Sequence, residues 1–335
     1  MRTDRVVVIS LIIVAVILMG EAYAYVGHEA GYDSSVHEEG DIIKVEMSVK
    51  GSIEFDAVSI DNGDRPPTSS LYIFYDPESP VMANEDTAVP LGSVPLTAGY
   101  YVDQLRRHLG YRHFTDIEVL GTDGLYATVV SDVSDGKCKG KGLVCITGCL
   151  PSSLLSDDVD CPIMKWICSG GTLYWIGEEL LRYSDDNGSV TDVSAGRHIR
   201  YGLTYSEKDF ATSDSDIREQ FSFSSNDLMF SPMVTDGLHA GYSNGVCSVI
   251  TYLGYGEGDV CVVSGEYSFP QIEDLAICIA SGLTSDSAIT DWQSGVVSGR
   301  SVIGMDSGSG DNQSVYVQYG GYFCVFGKRH TIDTS

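Results

Sequence analysis

Apolar and polar positions alternate near both ends of the chain, and this alternation predicts β-hairpins there. Residues 41–60 alternate with a period of two and are interrupted at Gly51-Ser52. Such a period is typical of strands that bury one face. The same alternation returns at the end of the chain, around a loop rich in Gly, Ser and Asp. We therefore predict β-hairpin additions at 25–66 and 301–335.

In the middle of the chain, short continuous apolar runs alternate with helical patterns. Strands that alternate with helices favour a mainly parallel sheet with helices on its faces. We expect this α/β domain to span 67–300, with a polar insertion at 183–240 rich in Ser, Asp and Gly. The predicted strands are 71–75, 117–120, 142–147, 172–176, 246–253 and 259–264; the predicted helices are 97–111, 157–169 and one that begins at Ser268; and 78–96 is predicted to be an irregular loop.

Residues 1–24 have the pattern of a targeting segment. Two arginines precede an apolar run over 6–20 that only Ser10 interrupts, and small residues at Ala22 and Ala24 form a cleavage signal. The run is shorter than the roughly 20 residues that a membrane span needs, which favours a cleaved signal peptide. The alternative is an uncleaved signal anchor over residues 6–25, with a transmembrane helix. Both interpretations predict an extracytoplasmic protein, either membrane-anchored or secreted after cleavage near Ala24.

The charge balance excludes one class of partner. The chain of 335 residues has 20 Lys and Arg against 47 Asp and Glu, for a net charge of −27. A nucleic-acid surface needs clustered Lys and Arg, so we expect no nucleic-acid partner. The hydrophobic content of 43% excludes a disordered acidic tail. We expect an unidentified surface ligand or protein partner, and membrane contact only through the N-terminal segment.

Nine cysteines are present, and most lie within apolar runs, where Cys behaves as a small buried hydrophobe. The chain has no C-x-x-C pair, so we expect no zinc or redox site, no other metal site and no cofactor. Cys145 and Cys149, if they shared one strand, would lie about 13 Å apart, too far to form a disulfide.

Three segments together carry a resemblance to a known family. Trp166–Gly177 reads W-I-C-S-G-G-T-L-Y-W-I-G, a helix end and double glycine leading into a buried strand. With 142–151 and 256–268, it resembles the extracytoplasmic relatives of class I glutamine amidotransferase-like domains, over about residues 70–285. The resemblance implies a three-layer, flavodoxin-like α/β fold. It does not by itself imply an activity.

Cys149 lies near the place where the catalytic members of that family carry a nucleophile in the motif G-x-C-x-G. The local sequence is Gly148-Cys149-Leu150-Pro151-Ser152, which lacks the second glycine. Pro151 would also obstruct a helix that began directly after the nucleophile. No His-x-Glu pair is present within 67–300 either, and the one at His37-Glu38-Glu39 lies in the predicted N-terminal hairpin. These departures favour a domain without the catalytic triad, in which Cys149 is a loop or strand-end residue.

Gly241-Tyr242-Ser243-Asn244-Gly245 matches the G-x-S-x-G nucleophile elbow, and His239 is close by in sequence. The elbow needs a strand before the serine and a helix after it. Here a polar loop precedes the motif and a predicted strand follows, so a turn is favoured. In the same way, Gly254-x-Gly256-x-Gly258 joins two predicted strands and opens no helix, which favours a hairpin over a phosphate loop.

These observations lead to one functional hypothesis and one alternative. The hypothesis is a non-catalytic α/β module that binds a ligand or has a structural role at the cell surface. The alternative is a hydrolase or amidotransferase-like enzyme with Cys149 or Ser243 as nucleophile and His239 as a candidate base. A ligand would bind in the crevice at the carboxyl ends of the strands, and Asp76, Cys149 and Gly177 are the candidate crevice residues.

Overall fold

The structure is a computed structural model in which the chain divides into two compact units, residues 61–289 and residues 1–60 with 290–335. The sequence pattern places the corresponding boundaries at 66/67 and 300/301. The structure describes residues 21–24, 33–39, 42–65, 67–77, 80–84, 87–90, 98–112, 114–158, 160–177, 179–193, 221, 223–225, 237–243, 248–264, 269–306, 313–319 and 322–329.

In the unit of residues 1–60 with 290–335, the described residues form a β-sheet. Its strands are β1 (Glu21–Ala24), β2 (Asp33–Glu39), β3 (Ile42–Asp61), β16 (Ala288–Asp306), β17 (Gln313–Tyr319) and β18 (Tyr322–Arg329). They lie in the order β1-β18-β17-β3-β16, and β2 also pairs with β3. β18 is antiparallel to β1 and to β17, and β2 is antiparallel to β3. Buried apolar residues such as Val45, Met47, Met305 and Val315 form the core of this unit.

The unit of residues 61–289 is a mixed α/β structure around a mainly parallel sheet. Its sheet contains the described strands β4 (Ser70–Phe74), β7 (Ile117–Leu120), β8 (Lys141–Cys145), β10 (Thr172–Gly177), β13 (Leu238–His239), β14 (Ile250–Tyr255) and β15 (Gly258–Ser264). They follow the order β13-β14-β15-β10-β8-β4-β7, in which β15, β10, β8, β4 and β7 are parallel neighbours. β14 is antiparallel to β13 and to β15.

Helices pack against this sheet through alternate positions of its strands. Helices α2 (Thr122–Asp135) and α3 (Pro162–Cys168) share one core with Leu143 and Trp175. Helix α4 (Phe269–Ser281) packs against α1 (Ala98–Tyr111) and against β10 and β15. The hydroxyl of Tyr252 in β14 donates a hydrogen bond to the carbonyl oxygen of Cys278 in α4, at 3.2 Å.

Two predicted elements differ from the structure. The helix predicted over 157–169 begins only at Pro162, because a proline has no N–H to donate and its fixed φ suits a first helical turn. Asp158, expected in that helix, instead accepts a hydrogen bond from the Asp160 N–H at 3.0 Å. The predicted irregular loop over 78–96 contains an antiparallel pair of strands, β5 (Pro80–Asn84) and β6 (Thr87–Pro90).

The predicted polar insertion at 183–240 contains regular and buried structure. β11 (Tyr183–Asp186) pairs with β12 (Ser189–Asp192) and with β9 (Cys149–Pro151). Further along, the rings of Phe221 and Phe223 stack with centroids 5.6 Å apart, and both are buried. The insertion is therefore in part a packed element of the α/β unit.

Within the described residues, no helix is both long and apolar enough to cross a membrane. Most of the predicted leader, residues 1–20, lies outside the described residues. Its last four, Glu21–Ala24, form β1, which pairs antiparallel with Phe326–Arg329 of β18.

Candidate functional site

The carboxyl ends of neighbouring parallel strands bring the candidate crevice residues to one edge of the sheet. Phe74 of β4 and Trp175 of β10 are both register partners of Cys145 in β8. Asp76 and Gly177 each follow two residues after these partners, and Gly148 follows three residues after Cys145. The structure therefore places the chain at Asp76, Cys149 and Gly177 at the edge where open α/β sheets bind ligands.

At this edge of the sheet, Asp76 stabilises the first turn of helix α2. Its Oδ2 accepts a hydrogen bond from the backbone N–H of Thr122, the first residue of α2, at 3.0 Å. The residue at the N-cap position, Gly121, has no side chain with which to cap the helix. A carboxylate at a helix N-terminus satisfies a free N–H and interacts favourably with the helix dipole. Asp76 therefore caps α2 from the loop that follows β4.

Cys149 begins β9 and is enclosed by protein. Its side chain is 1% exposed and packs in a small cluster with Tyr183 and Val190. The turn that leads to it contains Gly148 at φ 64°, a conformation that glycine adopts readily. The hydroxyl of Thr147, itself buried, donates to the Cys149 carbonyl at 2.6 Å. The thiol of Cys145 also approaches that carbonyl, at 3.5 Å.

The buried environment of Cys145 and Cys149 raises the pKa of both thiols. Burial, followed by the nearby Cys145 and Asp185, raises the pKa of the Cys149 thiol far above its usual range. Burial also raises the pKa of Cys145, although its hydrogen bonds with Thr147 oppose the shift. Because the thiolate is the nucleophilic form of cysteine, neither thiol is activated in this geometry. The backbone gives the same indication, since Cys149 is not among the described non-glycine residues with positive φ, which are Leu181 and Asn187.

Ser243 and His239 lie at the opposite side of the sheet. His239 is in β13, where it pairs with Thr251, and β13 is four strands away from β8. At about 4.8 Å per strand, that is roughly 19 Å across the sheet, too far for His239 to act on Cys149. Ser243 forms an antiparallel bridge with Ser248, and the next described element is β14. A strand rather than a helix thus follows the G-x-S-x-G motif in the described residues; Asn244 and Gly245 lie outside them.

The glycines at 254, 256 and 258 belong to a tight hairpin between β14 and β15. Gly256 has φ 61°, and a Cβ there would lie 2.7 Å from the Cys168 carbonyl oxygen. Arg65 donates hydrogen bonds to the carbonyl oxygens of Gly256 and Gly258. The prediction of a hairpin at this position is confirmed, because β15 follows directly.

Hydrogen bonds to Asp274 join the insertion to helix α4. The carboxylate of Asp274 in α4 is 1% exposed. It accepts hydrogen bonds from the backbone N–H of Ser224 at 3.1 Å and of Ser225 at 2.6 Å, and from the Ser224 hydroxyl at 3.2 Å. Burial raises the pKa of Asp274 despite these donors.

Sequence reasoning missed three residues of the carboxyl edge: Thr147, Asp185 and Cys145 in its contact with the Cys149 backbone. Asp185 comes near Cys149 only because β11 pairs in parallel with β9, a contact between distant parts of the chain. No local pattern predicts that pairing. Thr147 had one available signal, since a Thr next to Gly at a strand end is a common turn residue.

No protein-family model and no curated protein matches the chain. Solved structures that match include the exo-beta-1,4-mannosidase Op5Man5 from Opitutaceae bacterium strain TAV5, at TM-score 0.36 and 15% identity, covering 67% of this chain and 37% of that one. Another is a catalytic mutant of Gan42B, a GH42 beta-galactosidase from G. stearothermophilus, at TM-score 0.35 and 12% identity, covering 79% of this chain and 41% of that one. A third is the beta-galactosidase from Bacillus circulans sp. alkalophilus, at TM-score 0.35 and 11% identity, covering 79% and 42%.

The chain thus spans less than half the length of these structures, and TM-scores this low assign neither a fold nor an activity to it. The resemblance to glutamine amidotransferase-like domains, drawn from Trp166–Gly177 and its neighbouring segments, is wrong: no model of that family matches the chain, and the solved structures that do match are glycoside hydrolases. The double glycine reflects local packing: a Cβ on Gly171 would overlap the Trp166 ring, so glycine is required for the helix to end against this strand.

Proposed function

We propose that this protein is an exported α/β module that binds a ligand or has a structural role at the cell surface, without catalysis of its own. The observation that carries the proposal is the state of Cys149, whose thiol is 1% exposed and whose pKa is raised by burial. An enclosed, protonated thiol is a poor nucleophile. The strand that follows Ser243 in the described residues supports the same view for the second candidate.

The fold in this proposal is a three-layer, flavodoxin-like arrangement. Its support is the division of the sheet between two groups of helices. Trp175 shares a core with α2 and α3, whereas Tyr252 contacts Cys278 of α4. Such a fold places a binding crevice at the carboxyl ends of the parallel strands.

The binding region in this proposal is the edge formed by the loops at Asp76, Cys149 and Gly177. Because Asp76 caps α2 and Cys149 is enclosed, their side chains shape the loops rather than contact a ligand. The net charge of −27 supports a small ligand or a protein as the partner, rather than a nucleic acid.

Export is proposed from the leader at residues 1–24, with the protein either retained through that segment or released near Ala24. The test is expression of the full chain in a bacterial host, followed by fractionation and digestion of intact cells with an impermeant protease. Protection of the chain inside the cytoplasm would contradict export. The N-terminal sequence of the recovered protein then distinguishes retention from release.

The absence of catalysis is tested with probes for the two nucleophiles. The purified protein is treated with a fluorophosphonate and, separately, with iodoacetamide, and its hydrolysis of p-nitrophenyl esters is measured. We expect no stoichiometric label on Ser243 or Cys149, and no hydrolysis that is lost in Ser243→Ala or Cys149→Ala. A label on either residue, with loss of hydrolysis in its variant, would establish the alternative, a hydrolase.

A further inference from the structure

An asparagine lies at the tip of the hairpin formed by β11 and β12. The register pairs Asp186 with Ser189 across the turn, so Asn187 and Gly188 are its two central residues. Both have positive φ, 51° at Asn187 and 88° at Gly188, as the two-residue turns that match the twist of a hairpin require. Asn187-Gly188-Ser189 is also an N-x-S sequon, the acceptor sequence for an N-linked oligosaccharide.

The surroundings of this turn leave room for a large group on the asparagine. Asn187 and Ser189 are both exposed, and a Cβ added at Gly188 would meet no atom within 4 Å. The Asn187 carboxamide donates a hydrogen bond from Nδ2 to the carboxylate of Asp186 at 3.3 Å. Because Asp186 is exposed as well, water can replace this bond when Nδ2 is modified.

The hairpin keeps its shape through contacts that do not involve the Asn187 side chain. The N–H of Gly188 donates a hydrogen bond to Oδ1 of the buried Asp185 at 2.6 Å. Further down the hairpin, Val190 packs against the cluster that contains Cys149. These contacts hold the turn from its base, so a group attached to Nδ2 of Asn187 leaves them in place.

We propose that Asn187 carries an N-linked oligosaccharide in the exported protein, an inference that rests on the export proposed above. The donor is a lipid-linked oligosaccharide, and an oligosaccharyltransferase catalyses the transfer. Nδ2 of Asn187 attacks C1 of the first sugar and forms the N-glycosidic bond. The bond from C1 to the phosphate oxygen of the lipid breaks, and the lipid phosphate leaves as an anion. Nδ2 loses one proton, and no group is oxidised or reduced.

The position of the asparagine gives the modification a physical role. Among the described strands, β12 is the edge of the sheet ordered β12-β11-β9. Its residues Ser189, Thr191 and Asp192 are exposed. The unpaired N–H and C=O groups of an edge strand are a template for a strand from another molecule. A bulky, hydrated oligosaccharide beside the first residue of β12 blocks such an approach.

The first test uses the purified, folded chain and does not depend on export. Every protein in the test carries Asn312→Gln, which removes the second sequon, Asn312-Gln313-Ser314. The protein is incubated with an oligosaccharyltransferase and a lipid-linked oligosaccharide. Trypsin then releases 183–197, in which Asn187 is the one asparagine. We expect this peptide to gain the mass of the oligosaccharide and to lose it on treatment with peptide N-glycosidase.

The second test is expression of the same full chain in eukaryotic cells, whose secretory pathway attaches N-linked oligosaccharides. Protection of the chain from protease in isolated microsomes reports whether it has crossed the membrane, independently of its modification. We expect protected chain with the oligosaccharide on peptide 183–197. A chain that is digested contradicts export, and the first test then decides the site by itself.

The variants make the result specific to the sequon. Asn187→Gln and Ser189→Ala should each remove the oligosaccharide from 183–197. The matched control is Thr191→Ala, an exposed residue of the same strand outside the sequon, which should keep it. The proposal is overturned if chain that has crossed the membrane holds an unmodified Asn187. If the chain does not cross, an unmodified Asn187 in the folded protein of the first test overturns it.

Discussion

The ammonium group of Lys141, at the start of β8, donates a hydrogen bond to the buried carboxylate of Asp132 in α2. Lys141 also donates to the Tyr72 hydroxyl at 2.7 Å, and the Trp166 indole donates to the second Asp132 oxygen at 3.3 Å. These bonds join two helices and two strands through one acidic group. Asp132 is therefore a buried carboxylate whose two oxygens each accept a hydrogen bond from another element of the fold.

We expect Lys141→Met to destabilise the α/β unit by about 2–4 kcal/mol, because it leaves the carboxylate of Asp132 buried without its positive partner. Urea unfolding followed by circular dichroism measures the effect. The matched control is Lys137→Met, whose partner Asp135 is 3.1 Å away in an exposed pair, and there the loss should stay below about 1 kcal/mol. Equal losses in the two variants would contradict the structural role of the Asp132 pair.

The buried thiol of Cys149 leads to a prediction about chemical labelling. We expect native protein at pH 8 to react with iodoacetamide at the exposed Cys168 and not at Cys149, since burial both encloses Cys149 and raises its pKa. Peptide mass spectrometry measures the two sites in the same sample. In urea both should react, which controls for loss of the Cys149 peptide. Rapid labelling of Cys149 in the native state would place it in an accessible, activated environment.

Asp274 leads to a prediction of pH dependence. Burial raises the folded pKa of Asp274 above its ordinary value, so the folded state binds this proton more tightly than the unfolded state does. The resulting stabilisation is fully present below the unfolded pKa and is lost as the pH rises through the folded pKa. We expect Asp274→Asn to flatten this decline in the free energy of unfolding above about pH 4, and Asp123→Asn on the surface to leave it unchanged.

The readout for Asp274 is a series of urea titrations from pH 3.5 to 7. A second readout is hydrogen exchange at Ser224 and Ser225, whose N–H groups donate to this carboxylate. Faster exchange at these two amides in Asp274→Asn, without faster exchange in β10, would show that the effect is local. An unchanged slope against pH in the variant would contradict the prediction.

The requirement for glycine at a hairpin position can be tested by substitution with alanine, which adds one carbon atom, the Cβ. A Cβ on Gly258 would overlap the carbonyl oxygens of Ile167 and Gly171, both backbone atoms. We expect Gly258→Ala to cost about 2–4 kcal/mol, because the backbone must shift. Gly110→Ala is the control, since its Cβ meets nothing within 4 Å in α1 and should stabilise by about 0.5–1 kcal/mol. Thermal unfolding of the two variants checks both signs.

The sequence predicts the elements of this fold wherever the pattern is strong and local. The strand Ile117–Leu120 and the helix ending at Tyr111 have the predicted bounds within one residue, because continuous apolar runs and helical spacing are local signals. Helix α2 was not predicted. Its sequence contains Gly124 and several β-branched residues, which have low helix propensity, and the packing of Leu125 and Val129 on the sheet stabilises it instead.

The candidate site was harder to predict than the fold, because its contacts join distant segments. The sheet edge that holds Asp76 and Gly177 follows from the order of parallel strands, which the sequence suggests. The enclosure of Cys149 does not, because it depends on β11 from the insertion lying beside β9. The assumption that Cys145 and Cys149 share one strand also fails, since the turn at Gly148 separates β8 from β9.

The pairing of Glu21–Ala24 with Phe326–Arg329 has a consequence for processing of the leader. Cleavage after Ala24 would remove β1 and leave the backbone N–H and C=O groups on that side of β18 without their partners. An open strand edge of this kind is a template for a strand from another molecule. Removal of the leader would then also expose one edge of β18 on the mature protein.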